Sequence, residues 1–107
     1  MERVGFRLAL NPSTIDEYVE HHQKVWPQMC AALSENGWQN YSLFIDRSDS
    51  TLIGYFETPD LQAALQGMAA TEINQEWQTL MAPYFQELNG KRPDEGFVKL
   101  ENIFYLP

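Results

Sequence analysis

The sequence predicts an α+β fold, the ferredoxin-like βαββαβ sandwich. Three observations lead there. Apolar side chains alternate with a two-residue period near the N-terminus, in two adjacent central segments and near the C-terminus, as they do in half-buried strands. Longer stretches with apolar residues at helical spacing separate the first strand from the second and the third from the fourth. Turn residues fall at the joints between them. An antiparallel sheet carrying its helices on one face follows from that order.

The first strand is clear: Val4, Phe6, Leu8 and Leu10 alternate with Gly5, Arg7 and Ala9, so one face is strongly apolar. Asn11-Pro12-Ser13-Thr14 then breaks it. Ser13 stands three before Asp16 and Thr14 three before Glu17, which predicts a hydroxyl cap on a helix with an acidic first turn. The helix should run to Asn36-Gly37 with Ile15, Tyr18, Val19, His22, Val25 or Trp26, Met29 and Leu33 on its apolar stripe. Pro27 should kink or break it near Val25-Trp26, because proline removes a backbone donor and crowds the preceding turn. Asn40 to Asp46 is the second strand, with Tyr41, Leu43 and Ile45 opposite Ser42 and Phe44. Arg47-Ser48-Asp49-Ser50 turns the chain into a third strand, Thr51 to Glu57, closing a hairpin. Thr58-Pro59-Asp60 leads into a helix to Ala69-Ala70. A second helix is expected from Thr71, a cap three before Asn74, to Leu88, bent at Pro83. Asn89 to Glu95 reads as a loop and Phe97 to Leu106 as the last strand.

A length of 107 residues is expected to form one domain, residues 1–107. Apolar residues make up 44% of the chain and aromatics 13%, too much burying power for disorder. The surplus of rings points to a cleft or a subunit interface. Strand residues are largely apolar on both sides, so the face away from the helices also needs cover. A second copy of the chain would supply it, which predicts a homodimer.

The formal charge of -8, with no Lys/Arg cluster, argues against nucleic acid, anionic membranes and highly phosphorylated substrates. The single Cys30 is expected to be a small buried hydrophobe in a reducing compartment. No apolar signal segment opens the sequence and no run approaches transmembrane length, so a cytoplasmic protein is expected. There is no phosphate-binding glycine loop, dinucleotide fingerprint, nucleophile elbow or Cys-x-x-Cys, and hence no sign of a nucleotide cofactor or covalent chemistry.

The two histidines, His21 and His22, are adjacent and point roughly 100° apart on a helix, so they do not share one site. Nor is that the His-x-x-x-His spacing of a metal centre, and no metal is expected. His22 lies on one ridge with Tyr18 and Trp26. It reads either as a satisfied, partly buried histidine or as a group that exchanges protons near neutral pH. Tyr41 suits either a cross-strand pair or a sugar hydrogen bond, and Trp77 either core filling or a platform for the apolar face of a pyranose.

Over essentially its whole length the chain resembles the L-rhamnose mutarotase family. The resemblance is carried by Phe6, Asn11-Pro12, Glu17-Tyr18 through His22 to Val25-Trp26-Pro27, Asn40-Tyr41, the Trp77 region and the ending Ile103 to Pro107. It implies a dimeric ferredoxin-like α/β barrel that interconverts the anomers of a deoxyhexose without a cofactor. It also implies His22 as the catalytic proton donor, Tyr18 and Tyr41 as sugar-binding tyrosines, and Trp77 with residue 78 as a binding pair. Position 78, commonly a second tryptophan in the family, is Gln78 here. The family's Trp-Pro-Glu is Trp26-Pro27-Gln28, and its Asn-Pro-Asp loop is replaced by Gly90-Lys91-Arg92-Pro93-Asp94-Glu95. The loss of a ring at position 78 leaves a related sugar such as L-fucose open. The same fold also serves haem-binding monooxygenases and non-catalytic metabolite-binding modules, and fold alone does not separate these from a mutarotase.

Overall fold

The computed structural model describes residues 1–86, 88 and 90–107. Its sheet contains β1 (Glu2–Ala9), β2 (Gln39–Asp46), β3 (Thr51–Thr58) and β4 (Val98–Leu100), in the order β2-β3-β1-β4 with every neighbouring pair antiparallel. The helices are α1 (Ile15–Gln23), α2 (Pro27–Glu35), α3 (Leu61–Ala69), α4 (Glu72–Met81) and the one-turn α5 (Pro93–Gly96). This is the predicted α+β arrangement.

Register assigns each strand residue a face. The cross-strand sets Leu8–Leu52–Ile45 and Phe6–Gly54–Leu43 point toward the helices. Gly54 matters there: a Cβ on it would run into the Phe6 ring, so glycine opposite phenylalanine lets that ring lie across the strand. Leu10, Ile15, Tyr18, Met29, Leu52, Met68, Trp77, Met81 and Phe85 form the main core, and Val4, Phe6 and Phe56 a second cluster beside it. The opposite face carries Phe44, Ile53, Arg7 and Val98 in one row and Ser42, Tyr55, Gly5 and Leu100 in the next. Phe44 is 61% and Val98 48% exposed.

The first long helix is two helices. Trp26, extended because a proline follows, separates α1 from α2, and Pro27 takes the first helical position, where its missing N–H costs nothing. Gly37 ends α2 with φ +84: its N–H bonds to the Ser34 carbonyl at 3.1 Å and the Trp38 N–H to the Leu33 carbonyl at 3.0 Å, a Schellman turn. Thr71 caps α4 through Asn74 N–H at 3.3 Å, and Asp60 caps α3 through Ala63 N–H at 3.1 Å.

Four expectations are corrected. Neither Ser13 nor Thr14 caps α1 through its side chain: residues Pro12–Thr14 form a 3₁₀ turn, and the Thr14 hydroxyl donates back to the Asn11 carbonyl at 3.2 Å. The last long helix stops at Met81. Residues Ala82–Tyr84 turn once, and Phe85 then bridges to Leu10 while Gln86 N–H bonds to Ala9, so pairing with the end of β1 replaces further helix. β4 holds only Val98–Leu100, because it pairs with Gly5–Arg7 alone. Ile103, Phe104 and Leu106 beyond it are more than three-quarters exposed. Cys30 is exposed, since the buried side of α2 is that of Met29 and Ala32. The expected loop from Asn89 begins outside the described residues, and its far end contains α5. Among the described residues no helix is long and apolar enough to cross a membrane.

Candidate active site

A cleft of about 1000 Å³ opens between the sheet and the helices, and Tyr18, His22, Tyr41, Trp77 and Gln78 all line it. The five residues come from α1, β2 and α4, so folding brings together the whole set expected from the sequence.

The α1 side places an imidazole in the cleft. Tyr18 is 4% exposed, and the His22 ring lies over it with centroids 4.3 Å apart. The two stand four residues apart on one helix, which puts both on the same stripe. His22 Nδ1 lies 2.9 Å from the Tyr18 carbonyl oxygen. A carbonyl only accepts, so Nδ1 carries a proton and the neutral ring presents Nε2 as a bare acceptor. The Trp77 ring meets His22 edge-on at 5.4 Å and Trp26 edge-on at 5.0 Å. Burial holds the His22 pKa below its ordinary 6.5. The Tyr18 carbonyl opposes that shift and the charge of His21 adds to it. His21 leaves the cleft: its Nε2 lies 3.1 Å from the Tyr84 hydroxyl.

The β2 side depends on a bulge. Gln39 pairs with Glu57 but Ser42 pairs with Tyr55, so one extra residue is fitted into β2. Asn40 absorbs it with φ +50, a left-handed conformation that asparagine tolerates better than most residues, and its amide donates to Glu57 at 3.0 Å. In an unbroken strand Trp38 and Tyr41 would face opposite sides of the sheet. The bulge turns both inward: Trp38 stacks on Phe56 at 3.8 Å and Tyr41 packs against Trp38 at 5.2 Å. Tyr41 keeps 38% of its surface accessible, yet its phenol is pushed well above the usual tyrosine range, first by desolvation and then by the Asp94 carboxylate. Burial, with a smaller effect of Tyr41, raises Tyr18 likewise. Both hydroxyls therefore keep their protons across the physiological range and act as hydrogen-bond donors.

Sequence reasoning missed a polar wall. Gln78 Nε2 donates to Asn74 Oδ1 at 3.0 Å, and Asn74 Nδ2 donates to Asp94 Oδ2 at 2.9 Å. Arg92 Nε lies 3.2 Å from Asp94 Oδ1. Asn74 is 1% exposed, and Asn74, Arg92 and Asp94 all line the cleft. The one legible signal was the four-residue spacing of Asn74 and Gln78 beside Trp77. Asp94 sits in a segment that read as loop. Among the described residues no group of three or more His, Cys, Asp or Glu side chains is placed to hold a metal ion.

An imidazole with one nitrogen unbonded among the described residues, set among aromatic rings and facing a hydrogen-bonding wall in an α+β ferredoxin-like fold, is an arrangement suited to proton exchange on a small hydroxylated ligand. Residues 3–106 match a family model described as L-rhamnose mutarotase. The chain belongs to the L-rhamnose mutarotase family. It is 38% identical over 106 residues to an L-rhamnose mutarotase of Oceanobacillus iheyensis and 39% identical over 106 residues to one of Listeria monocytogenes, each alignment covering 99% of both chains. The crystal structure of an L-rhamnose mutarotase from Formosa agariphila superposes with a TM-score of 0.81 at 30% identity, covering 100% of both chains. An antibiotic biosynthesis monooxygenase, 21% identical with a TM-score of 0.65 and covering 96% of this chain and 99% of its own, shares the fold.

Proposed function

We propose that this chain interconverts the α and β anomers of L-rhamnose by acid–base opening and reclosure of the ring, with His22 Nε2 as the proton-transfer atom. The observation that carries this reading is the His22 Nδ1 bond to the Tyr18 carbonyl, which leaves Nε2 unbonded among the described residues in an aromatic cleft. The relatives named L-rhamnose mutarotase point to the substrate.

Ring opening moves one proton from the anomeric hydroxyl to the ring oxygen while the bond between that oxygen and C1 breaks. Both oxygens are attached to C1, so one imidazole nitrogen can accept the first proton and then donate to the second oxygen. The aldehyde turns about its C1–C2 bond, and the same steps in reverse close the ring from the other face. Tyr18 and Tyr41 donate hydrogen bonds to sugar oxygens. Trp77 offers an apolar surface for the sugar, and Gln78 holds the polar wall in place. Keeping the open chain folded against these rings favours reclosure.

The exposed row of Phe44, Ile53 and Val98, together with the exposed tail Ile103–Leu106, supports a homodimer built on the outer sheet face. A single domain in the cytoplasm fits the same reading.

Saturation-transfer NMR of anomer exchange tests the proposal, first with L-rhamnose and then with L-fucose. The expected result is rapid exchange of rhamnose that falls roughly 10²–10⁴-fold in His22→Ala. Exchange of fucose alone would keep the mechanism and move the substrate, and would point to Gln78 and the segment from Gly90 to Glu95 as the cause. Full activity in the variant would remove His22 from the chemistry.

A further inference from the structure

The Asn40 bulge is fastened from the far side of the sheet. Glu57 pairs with Arg3 on β1 and Gln39 on β2 and, two positions from Tyr55, shares its outward face. Both of its carboxylate oxygens are in use: Oε1 accepts from the Asn40 amide at 3.0 Å and Oε2 from the Tyr55 hydroxyl at 2.7 Å. The bond from Tyr55, and then that from Asn40, hold the Glu57 carboxyl below the usual carboxylate range, so it accepts as an anion at neutral pH. Asn40 needs such an anchor, because its φ of +50 is costly for any residue that carries a Cβ. Residues 40 and 41 together oppose Phe56, since Gln39 pairs with Glu57 and Ser42 with Tyr55. Moving the bulge by one position would turn Tyr41 out of the cleft. Around Tyr41 itself the contacts are ring packing, with Trp38 at 5.2 Å, Phe56 at 5.9 Å and Phe6 at 6.4 Å. Apolar packing is non-directional and aims a hydroxyl poorly.

We infer that Glu57, acting through Asn40, is a positioning residue that sets the direction of Tyr41 and with it the strength of sugar binding. This rests on the reading of Tyr41 as a sugar ligand and adds a residue on the opposite face of the sheet, outside the lining of the cleft. The bond from Asn40 to Glu57 holds the bulge in register, and the register points the Tyr41 ring inward. A hydrogen bond weakens steeply once its donor is misaligned, so a loosened bulge costs affinity. Proton transfer at His22, on α1, does not pass through this strand.

Glu57→Ala removes the anchor, whereas Glu57→Gln keeps an oxygen that accepts from Asn40. Thermal melting and sedimentation velocity confirm that both variants are folded and assembled as the wild type is. NMR of ring-labelled tyrosine in the sugar-free protein reads Tyr41 directly, its resonance identified by its loss in Tyr41→Phe. That resonance, displaced by the neighbouring Trp38 ring, should move in Glu57→Ala and return in Glu57→Gln. Sugar binding is read from the quenching of tryptophan fluorescence, and turnover from anomer exchange. For L-rhamnose, Glu57→Ala should raise Kd and KM together roughly 3–10-fold, the range for one misplaced hydrogen bond. The exchange rate at saturation and its pH profile should remain those of the wild type, and Glu57→Gln should restore most of the affinity. On a Tyr41→Phe background, Glu57→Ala should change Kd no further, because its effect passes through the Tyr41 hydroxyl. A Tyr41 resonance unmoved in Glu57→Ala overturns the inference while leaving the mutarotase reading intact. So does a rise in Kd that persists in full on the Tyr41→Phe background. Wild type that binds rhamnose without exchanging it sinks the mutarotase reading, and the Tyr41 resonance and Kd then judge Glu57.

Discussion

The imidazole of His22 can reach the cleft through only one nitrogen, because the other is engaged by the carbonyl one helical turn back. Burial is the larger influence on its protonation and lowers its pKa, so the neutral ring predominates at pH 7. That fixes the sign of a pH prediction. Anomer exchange should be flat through neutral pH and decline on acidification, with a midpoint below 6.5, as Nε2 becomes protonated and can no longer accept. A rate that instead climbs toward acid would show that imidazolium starts the reaction. Stability follows the same sense. With its folded pKa depressed, His22 takes up a proton more readily in the unfolded chain, so its contribution is retained above 6.5 and lost as pH falls through the lower folded value.

At the level of elements, the cleft depends on two local irregularities, the Asn40 bulge and Gly54. Gly54 faces Phe6 across β1 and β3, and the Phe6 ring is confined by Phe97 at 4.9 Å and Phe56 at 6.2 Å. Gly54→Ala would force that ring aside. An overpacking cost of about 1–3 kcal/mol is expected, read as a lowered urea midpoint with an unchanged slope. Tyr41 lies 6.4 Å from the same ring, so weaker sugar binding should accompany the loss. A midpoint equal to that of the wild type would mean that Phe6 has room to move.

The whole molecule exposes one sheet face that its own helices do not cover. Phe44, Ile53 and Val98 form a continuous row there, broken by Arg7. Two rows along, where Arg3 pairs with Glu57, the Arg3 guanidinium sits 3.6 Å from the Tyr105 ring centre, holding the tail near that face. Phe44→Glu places a charge in the middle of the row without touching the cleft. Sedimentation velocity should then report a dimer for the wild type and a monomer for the variant, with the fold retained. A wild type that sediments as a monomer would discard the dimer.

Sequence alone determined the order of elements, the break at Pro27 and the stop at Gly37, because alternation, helical spacing and the backbone limits of proline and glycine are local properties. It also singled out the Tyr18–His22 ridge, since residues four apart on a helix must share a face. Four outcomes belonged to the tertiary structure. The end of α4 was set by Phe85 and Gln86 pairing with the end of β1, which outweighed a helical pattern running on to Leu88. β4 shrank to three residues because the chain leaves β1 after Leu100 pairs with Gly5, although β1 itself runs back to Glu2. Tyr41 and Trp38 came to one face through a bulge that no alternation reveals. Asp94 joined Asn74 from 20 positions away because α5 lies against the first turn of α4. Periodicity records how a residue lies relative to its own element; which atoms meet across elements is decided only when the chain closes on itself.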